Sequence, residues 1–260
     1  MQENVAVVSE KVVAGGLKLR EKIYAAGTRM GRHRHDCWRF CLALSGSFTD
    51  SWGSGYRTRS PLQLSLHPAD EVHTSLFHTF VRCFHIEFGP EWGTHLMAPD
   101  GIRDEPREFL TGYLPILANK MYREFRAADE CSDLVLEGAA LELIGFSRRQ
   151  QAFRSSPGWI FQVRDALHDN FKRNRLSTMA LAQAVDVHPV HLAHQFRKHF
   201  GVSIGEYIRD LRIQFVCQRL RTDASLAEIA REAGFADQSH MTRTFKRHTG
   251  CTPGQFRSAA

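Results

Sequence analysis

The last two-fifths of the chain contains one stretch of sequence twice. LAQAVDVHPVHLAHQFRKHFGVSIGEYI (181–208) aligns with IAREAGFADQSHMTRTFKRHTGCTPGQF (229–256), and the second copy carries one extra residue at its turn. Leu181-Ala182 matches Ile229-Ala230, Leu192 matches Met241, Phe196 matches Phe245, Gly201 matches Gly250 and Tyr207 matches Phe256. Two copies are too few for a solenoid, which needs about three units to bury a continuous core. Two related helical modules are the simpler account.

Each copy is written as helix, turn, helix. In the second, Ser225-Leu-Ala-Glu228 has the form of a capping box and predicts a helix start at 225 or 226. Leu226, Ile229 and Ala230 then face inward at helical spacing. Gly234 closes that helix, where a tight turn needs a residue free to take positive φ, and Phe235 plugs the corner. Asp237 caps the next helix, on which Met241, Phe245 and His248 share one stripe. The opposite face carries Gln238, Ser239, Thr242, Arg243 and Lys246. The first copy has Ser177 as cap, Asp186-Val187 at the turn, and His188-Pro189 at the start of its second helix, a good place for proline. His191 and Phe196 read as packing residues. Between the copies the spacing predicts a linker helix over 206–222, with Ile208, Leu211, Phe215, Val216 and Leu220 as its apolar stripe. Such a rod would hold two second helices about one DNA turn apart, roughly 34 Å. Polar residues near a helix start suit the major groove, which admits one helix and presents base-edge donors and acceptors to it.

Charge agrees. From Pro157 onward there are 15 Lys and Arg against 9 Asp and Glu, which accounts for the whole net charge of +6 and suits a polyanionic partner for that part alone. The rest of the chain differs in character. Over 1–90, Trp38, Phe40, Leu42 and Leu44 alternate, as do Leu62, Leu64 and Leu66, and Phe84, Ile86 and Phe88, so this part reads as short strands. Segments 103–126 and 129–150 read as helices, and Leu134, Val135, Leu141 and Ile144 form a stripe that a symmetric helix pair would bury. RRQQAFRSSPGW reads as a linker, with the boundary close to Ser155–Pro157. The expected fold is therefore α+β in two domains: 1–155, a β-barrel with following helices that senses an effector and dimerises, and 156–260, an all-α double helix-turn-helix.

No run of about 18 apolar residues occurs and the N-terminus lacks a secretion signal, so a cytoplasmic protein is expected. The six cysteines show no CxxC pair, which favours reduced thiols.

The region from about Pro157 to Arg257 resembles the DNA-binding domain of AraC/XylS-type transcription regulators. The match is carried by I-A-x-x-x-G-F-x-x-x-S-x-M-x-R-x-F-K-x-x-x-G-x-T-P-x-x-F-R at Ile229 to Arg257, with a looser copy upstream. The resemblance implies a bacterial regulator with two helix-turn-helix units and a sensory N-terminal domain. By position it gives base-reading roles to Gln238, Ser239 and Arg243, and to Val190, Ala193 and His194, a trio poor in hydrogen-bonding groups. Arg197, Lys198, Lys246 and Arg247 are placed as phosphate contacts, and Ser203 and Thr252 as phosphate donors from helix N-termini.

The first 90 residues resemble the cupin-like domain often joined to such a unit, through Gly27, His33-Arg-His35, Gly46 and Pro68-Ala-Asp-Glu-Val-His73. The glutamate expected after the first histidine pair is replaced by Asp36, Cys37, Trp38 and Arg39. Read as strands, His33, His35 and Cys37 share one face, and so do Cys83, His85 and Glu87. If that face lines the barrel, His33, His35, Cys37, His73, Cys83 and His85 offer imidazoles and thiols to a divalent transition metal or a small-molecule effector. If it meets solvent, they are scattered polar residues; and if a metal did bind, Arg39 and Arg57 on the same face would set cations beside it. The expected function is an effector-controlled, sequence-specific regulator, not an enzyme. Its expected partners are double-stranded DNA, a second copy of the chain and, for an activator, RNA polymerase; no membrane is involved. The alternative is a cupin-type metal-dependent enzyme fused to a DNA-binding domain, against which the missing glutamate counts. A DNA-repair methyl-acceptor would need a four-cysteine zinc cluster, which Cys37, Cys41 and Cys83 do not supply.

Overall fold

A computed structural model describes residues 5–53, 55–93, 106–152, 157–173 and 177–258. The chain divides into two compact units, Met1–Leu110 with Leu114–Arg148, and Thr111–Tyr113 with Arg149–Ala259. The expected boundary near Ser155–Pro157 falls largely on residues 153–156, which lie outside the described ones.

The first unit holds ten strands: β1 (Val5–Val13), β2 (Leu17–Tyr24), β3 (Arg29–His33), β4 (Trp38–Ser45), β5 (Phe48–Trp52), β6 (Gly55–Arg59), β7 (Leu64–His67), β8 (His73–Phe77), β9 (Val81–Phe88) and β10 (Arg107–Phe109). They form a six-stranded sheet in the order β1-β2-β9-β4-β7-β10 and a four-stranded sheet in the order β3-β8-β5-β6. Every pairing is antiparallel. The alternation read in β4 and β9 is real, but both faces are buried. Phe40, Leu42, Phe84 and Ile86 are fully enclosed on one side. There the Phe84 ring packs 5.3 Å from both Tyr122 and Phe125 of helix α1 (Tyr113–Ala127). The odd-numbered Cys41, Cys83 and His85 are buried on the other side, toward the second sheet. The polar face is interior.

Two expectations about this unit need correction. The helix predicted over 103–126 begins only at Tyr113, because Arg107–Phe109 instead pairs with β7, Phe109 opposite Leu64, which satisfies backbone groups at the sheet edge and buries the ring. Residues 103–105 lie outside the described ones. Helix α2 (Ser132–Ala152) takes the place of the second predicted helix but starts at Ser132 and not at 129. Of its expected dimer stripe, Leu134 and Leu141 are 75% and 46% exposed, while Ile144 is 3% exposed and already used in the unit's own core.

The second unit consists of α3 (Gly158–Asn170), α4 (Thr178–Ala184), α5 (Pro189–Phe200), α6 (Ile204–Arg219), α7 (Leu226–Glu232), α8 (Gln238–Thr249) and α9 (Pro253–Ser258). The two copies fold alike, as α4–α5 and α7–α8. Ser177 accepts from the Ala180 amide, Asp237 from the His240 amide at 2.7 Å, and the corners turn at Asp186 (φ 52°) and Gly234 (φ 78°). Ser225 accepts from the Glu228 amide at 3.2 Å, but Glu228 does not reach back, so the expected box is half formed. The complete box is Ser203 with Glu206. It starts the linker helix at Ile204 and not at 206, and that helix ends at Arg219.

α6 is the spine of this unit. Tyr207, Leu211, Ile213, Val216 and Cys217 are buried along it, whereas Ile208 and Phe215 of the predicted stripe are only half-buried. Arg219 pairs with Glu232 of α7 at 2.8 Å, Asp210 with His248 of α8 at 3.0 Å, and the Tyr207 hydroxyl meets His168 of α3 at 3.1 Å. Arg257, the residue just after the second copy, donates to the carbonyls of Leu220 and Ala224 and ties the C-terminal helix to that loop. Among the described residues no helix is long and apolar enough to cross a membrane.

Candidate functional site

Two sets of side chains, one in each unit, are arranged for chemistry beyond folding. In the second unit, α5 and α8 each bury one face and leave the other open. Leu192 and Phe196 anchor α5, and Met241 and Phe245 anchor α8. Opposite them Gln238, Ser239, Arg243, Lys246 and Arg247 are exposed on α8, and Val190, Ala193, His194, Arg197 and Lys198 on α5. Neither Arg243 nor Lys246 forms an ion pair among the described residues, so both charges remain available to an external anion. Arg197 lies 3.7 Å from Glu206, a weak exposed pair.

Three expectations change here. His191 is exposed, with its ring 5.9 Å from that of Trp159, and is not a core residue. The Ser203 hydroxyl donates to Glu206 at 2.6 Å, and that carboxylate would repel a phosphate. The Thr252 hydroxyl meets Gln255 at 3.0 Å. Both are committed to capping their own helices, which leaves them without a free proton for DNA.

In the first unit the two sheets enclose a polar pocket with a cavity volume of about 40 Å³. β3 ends at His33, so His33, His35 and Cys37 are not on one strand as expected. The chain instead crosses from the four-stranded to the six-stranded sheet, and His33, His35 and His73 still converge, each with a ligating nitrogen within 4.8 Å of the others. The His33 Nδ1 lies 2.8 Å from the Gly31 carbonyl, and the His73 Nδ1 lies 3.2 Å from Glu71 Oε2. Each contact fixes a ring and turns Nε2 into the free lone pair, the usual support of a metal-binding imidazole. The Nε2 of His35 is buried without any hydrogen-bond partner. An orphaned imidazole nitrogen facing two others is what a transition metal would satisfy. The residues present fit such an ion.

Sequence reasoning missed His67, Glu71, Asp50 and Cys41. Glu71 stands two residues before His73 and its Oε2 also meets His67 Nδ1 at 3.1 Å. The D-E-V-H segment carried this signal, because Glu71 and His73 stand two residues apart in it. Asp50 is buried against Arg59 and accepts from Ser75 at 2.6 Å. Arg39 lines the pocket as expected, whereas Arg57 is outside it and pairs with Glu108 at 3.3 Å. Cys37 is also outside the pocket lining. Burial, with the Glu87 and Asp36 carboxylates, pushes its thiol up to about 11, the reverse of what a ligand needs.

Burial dominates the electrostatics of the pocket. It lowers His35 to about 2, helped by Arg39 and the neighbouring imidazoles. It lowers His67 to about 4, against the pull of the Glu71 hydrogen bond. For Glu71 burial acts upward, but hydrogen bonds from His67 and His73 outweigh it and bring the carboxyl to about 2. His35 and His67 are therefore neutral near pH 7, the form that binds metals. The same shifts fix a pH dependence. The His67 value is below the unfolded one near 6.5, so its contribution is whole above that pH and is lost as pH falls toward 4, at about 1.4 kcal/mol per pH unit. Urea unfolding of the first unit should weaken over that range, and His67→Gln should reduce the slope by about one proton. An unchanged midpoint between pH 6.5 and 4 would contradict the buried neutral imidazole.

Residues 181–259 match a family described as a helix-turn-helix domain. The arabinose operon regulatory protein of Escherichia coli (strain K12) is 32% identical over 117 residues, which is 43% of this chain and 40% of that protein. The chain thus spans about two-fifths of the curated arabinose regulators it matches. An uncharacterized HTH-type transcriptional regulator, YijO of the same strain, is 24% identical over 276 residues, covering 99% of this chain and 95% of that protein. Among solved structures, wild-type ToxT from Vibrio cholerae strain SCE256, with an unsaturated fatty acid bound, covers 95% of this chain and 96% of its own, at 12% identity and a TM-score of 0.41.

Proposed function

We propose that this chain, a DNA-binding transcription regulator of the AraC family with a helix-turn-helix domain at its C-terminus, is controlled by a metal cation taken up in the imidazole pocket of its first unit. The domains are those read from sequence, 1–155 for sensing and 156–260 for DNA. The reading is of a regulator and not an enzyme, since the relatives named above are regulators. Work on DNA places it in the cytoplasm, with RNA polymerase as a further partner if it activates.

The DNA part is carried by one observation: the exposed Gln238, Ser239 and Arg243 sit on the first turns of a helix whose other face is locked by Met241 and Phe245. Arg243 is the base reader, a fork that suits the paired acceptors of guanine, and Lys246, Arg247, Arg197 and Lys198 grip phosphates. Val190, 70% exposed, with Ala193 and His194 makes α5 an apolar reader suited to a thymine methyl. Sites selected from random DNA should hold two boxes about one turn apart. Arg243→Ala should relax preference at one base pair by about 1–3 kcal/mol, whereas Lys246→Ala should weaken all sequences alike and lower the salt slope by about 1. Equal loss on every sequence from both variants would refute the assignment.

The size of the pocket supports a metal over an organic effector. About 40 Å³ holds an ion with a few waters, not a sugar-sized molecule. The purified chain should take up about one equivalent of a divalent metal such as Zn(II) through His33, His35 and His73. Changing His33 and His73 together to Ala should remove that equivalent and with it any metal effect on DNA affinity. A metal response that survives in that variant would exclude the triad. Leu134 and Leu141 provide the surface for a homodimer, and the same titrations read whether one or two chains bind each site.

A further inference from the structure

Of the histidine triad, His33 and His35 line the pocket. On the inner face of the six-stranded sheet stands a second group, Cys41, Cys83 and His85, with one donor atom from each within 4.8 Å of the others and all three buried. It shares no residue with His33, His35 and His73. From these donors we infer that the pocket contains a second, thiolate-rich metal site, formed by Cys41, Cys83 and His85 and suited to a thiophilic divalent cation of the zinc class.

Sheet register sets the geometry. Cys41 pairs directly with His85 across β4 and β9, and Ala43 with Cys83, so the donors occupy neighbouring rungs of one rigid ladder. His85 is held by the Tyr24 hydroxyl, 3.1 Å from its Nε2, and Tyr24 is in turn stacked on Phe77 with ring centroids 4.0 Å apart. That leaves the His85 Nδ1 buried and without a hydrogen-bond partner, an unexplained cost unless something binds it. Zinc-to-sulfur distances of about 2.3 Å and zinc-to-nitrogen distances of about 2.0–2.1 Å require the donors to close in by roughly an ångström, which rotation of the two thiols can supply.

The surroundings select the ion. Tyr24, Ala43, Phe48, Phe77 and Val81 form an apolar wall around the two thiols. Soft thiolate ligands set against an apolar wall favour thiophilic over oxygen-seeking cations. Two thiolates and a divalent cation sum to zero, so loading adds no net charge beside the buried guanidinium of Arg39. Three protein donors leave a fourth tetrahedral position, and the adjoining cavity of about 40 Å³ has room for a water there.

The test uses the full chain, reduced and without oxygen, titrated with Co(II) as a spectroscopic stand-in for Zn(II). A near-ultraviolet sulfur-to-cobalt charge-transfer band should rise to saturation and be removed by Zn(II). Nitrogen ligands alone cannot give it, so the band reports a thiolate ligand, and the cysteine substitutions assign it to the site. The band should be lost in Cys41→Ser and in Cys83→Ser, near-isosteric changes. It should persist in Cys37→Ser and in the His33→Ala, His73→Ala double variant. No band from the unaltered chain, or a band that survives both pocket substitutions, overturns the inference. Neither result touches the DNA reading or the histidine triad, which have their own measurements.

Discussion

Asp50→Ala should cost the first unit about 3–5 kcal/mol, because it strands the Arg59 guanidinium in the interior. Asp50 and Arg59 are 3% and 1% exposed, and they pair diagonally across strands β5 and β6, where Arg59 stands opposite Phe48 and Asp50 opposite Arg57. The ion pair itself adds little net stability, since burying both charges offsets their attraction. Removing one partner is different, because the remaining charge has lost its water and gained nothing. Glu108 lies 4.0 Å from the Arg59 Nε and recovers only part of the loss. Asp50 also takes the Ser75 hydroxyl and stands 3.6 Å from His67, so Asp50→Asn, which keeps the hydrogen bond, should cost less than Ala. Replacing both partners, as in Asp50→Ala with Arg59→Met, should restore most of the stability. Urea unfolding followed by a probe in each unit reads this directly. A loss below about 1 kcal/mol for the single change would show that the guanidinium finds another partner.

Gly234→Ala should be the most damaging small substitution in the helix-turn-helix unit. Gly234 has φ 78°, and a β-carbon there would lie 2.3 Å from the Lys172 carbonyl oxygen. That oxygen belongs to backbone and cannot swing aside as a flexible side chain would. The positive φ alone costs an alanine about 1–3 kcal/mol, and the overlap adds about 1–3 kcal/mol as the corner opens. Gly27 is the natural control, since its φ is 79° and nothing lies within 4 Å of its would-be β-carbon. Gly27→Ala should therefore show the backbone strain without the collision. Thermal unfolding of both variants isolates the overlap as their difference, and equal losses would mean that the corner accommodates the methyl group. Because Phe235 follows directly and plugs the turn between α7 and α8, Gly234→Ala should also weaken DNA binding, by tilting the helix that carries Arg243.

The helix-turn-helix half was legible in sequence because its signals are local. Capping serines, the Gly234 corner, helical spacing of Met241 and Phe245, and the polar face between them all act within a few residues, where backbone hydrogen bonds and side-chain period decide the structure. The duplication doubled that signal. Errors there were at edges, as at Ser203, where a capping box moved the linker helix forward, and at Thr252, whose hydroxyl closes a cap.

The pocket was different. Alternation showed that β4 and β9 have a polar face, but not which way it looks, since a strand reads the same with either face inward. Only the packing of Phe84 under Tyr122 and Phe125 turned the odd-numbered residues toward the second sheet. That choice brought Cys41 and His85 into one cluster and left Cys37 out of it. It also joined His67 and Glu71 to His73, groups that sit on separate strands and connections. What the sequence determined by itself was the fold of the helix-turn-helix half, because its contacts are close along the chain. What tertiary structure decided was the pocket, because its donors come from five strands and their connections, and no local rule says which of them meet.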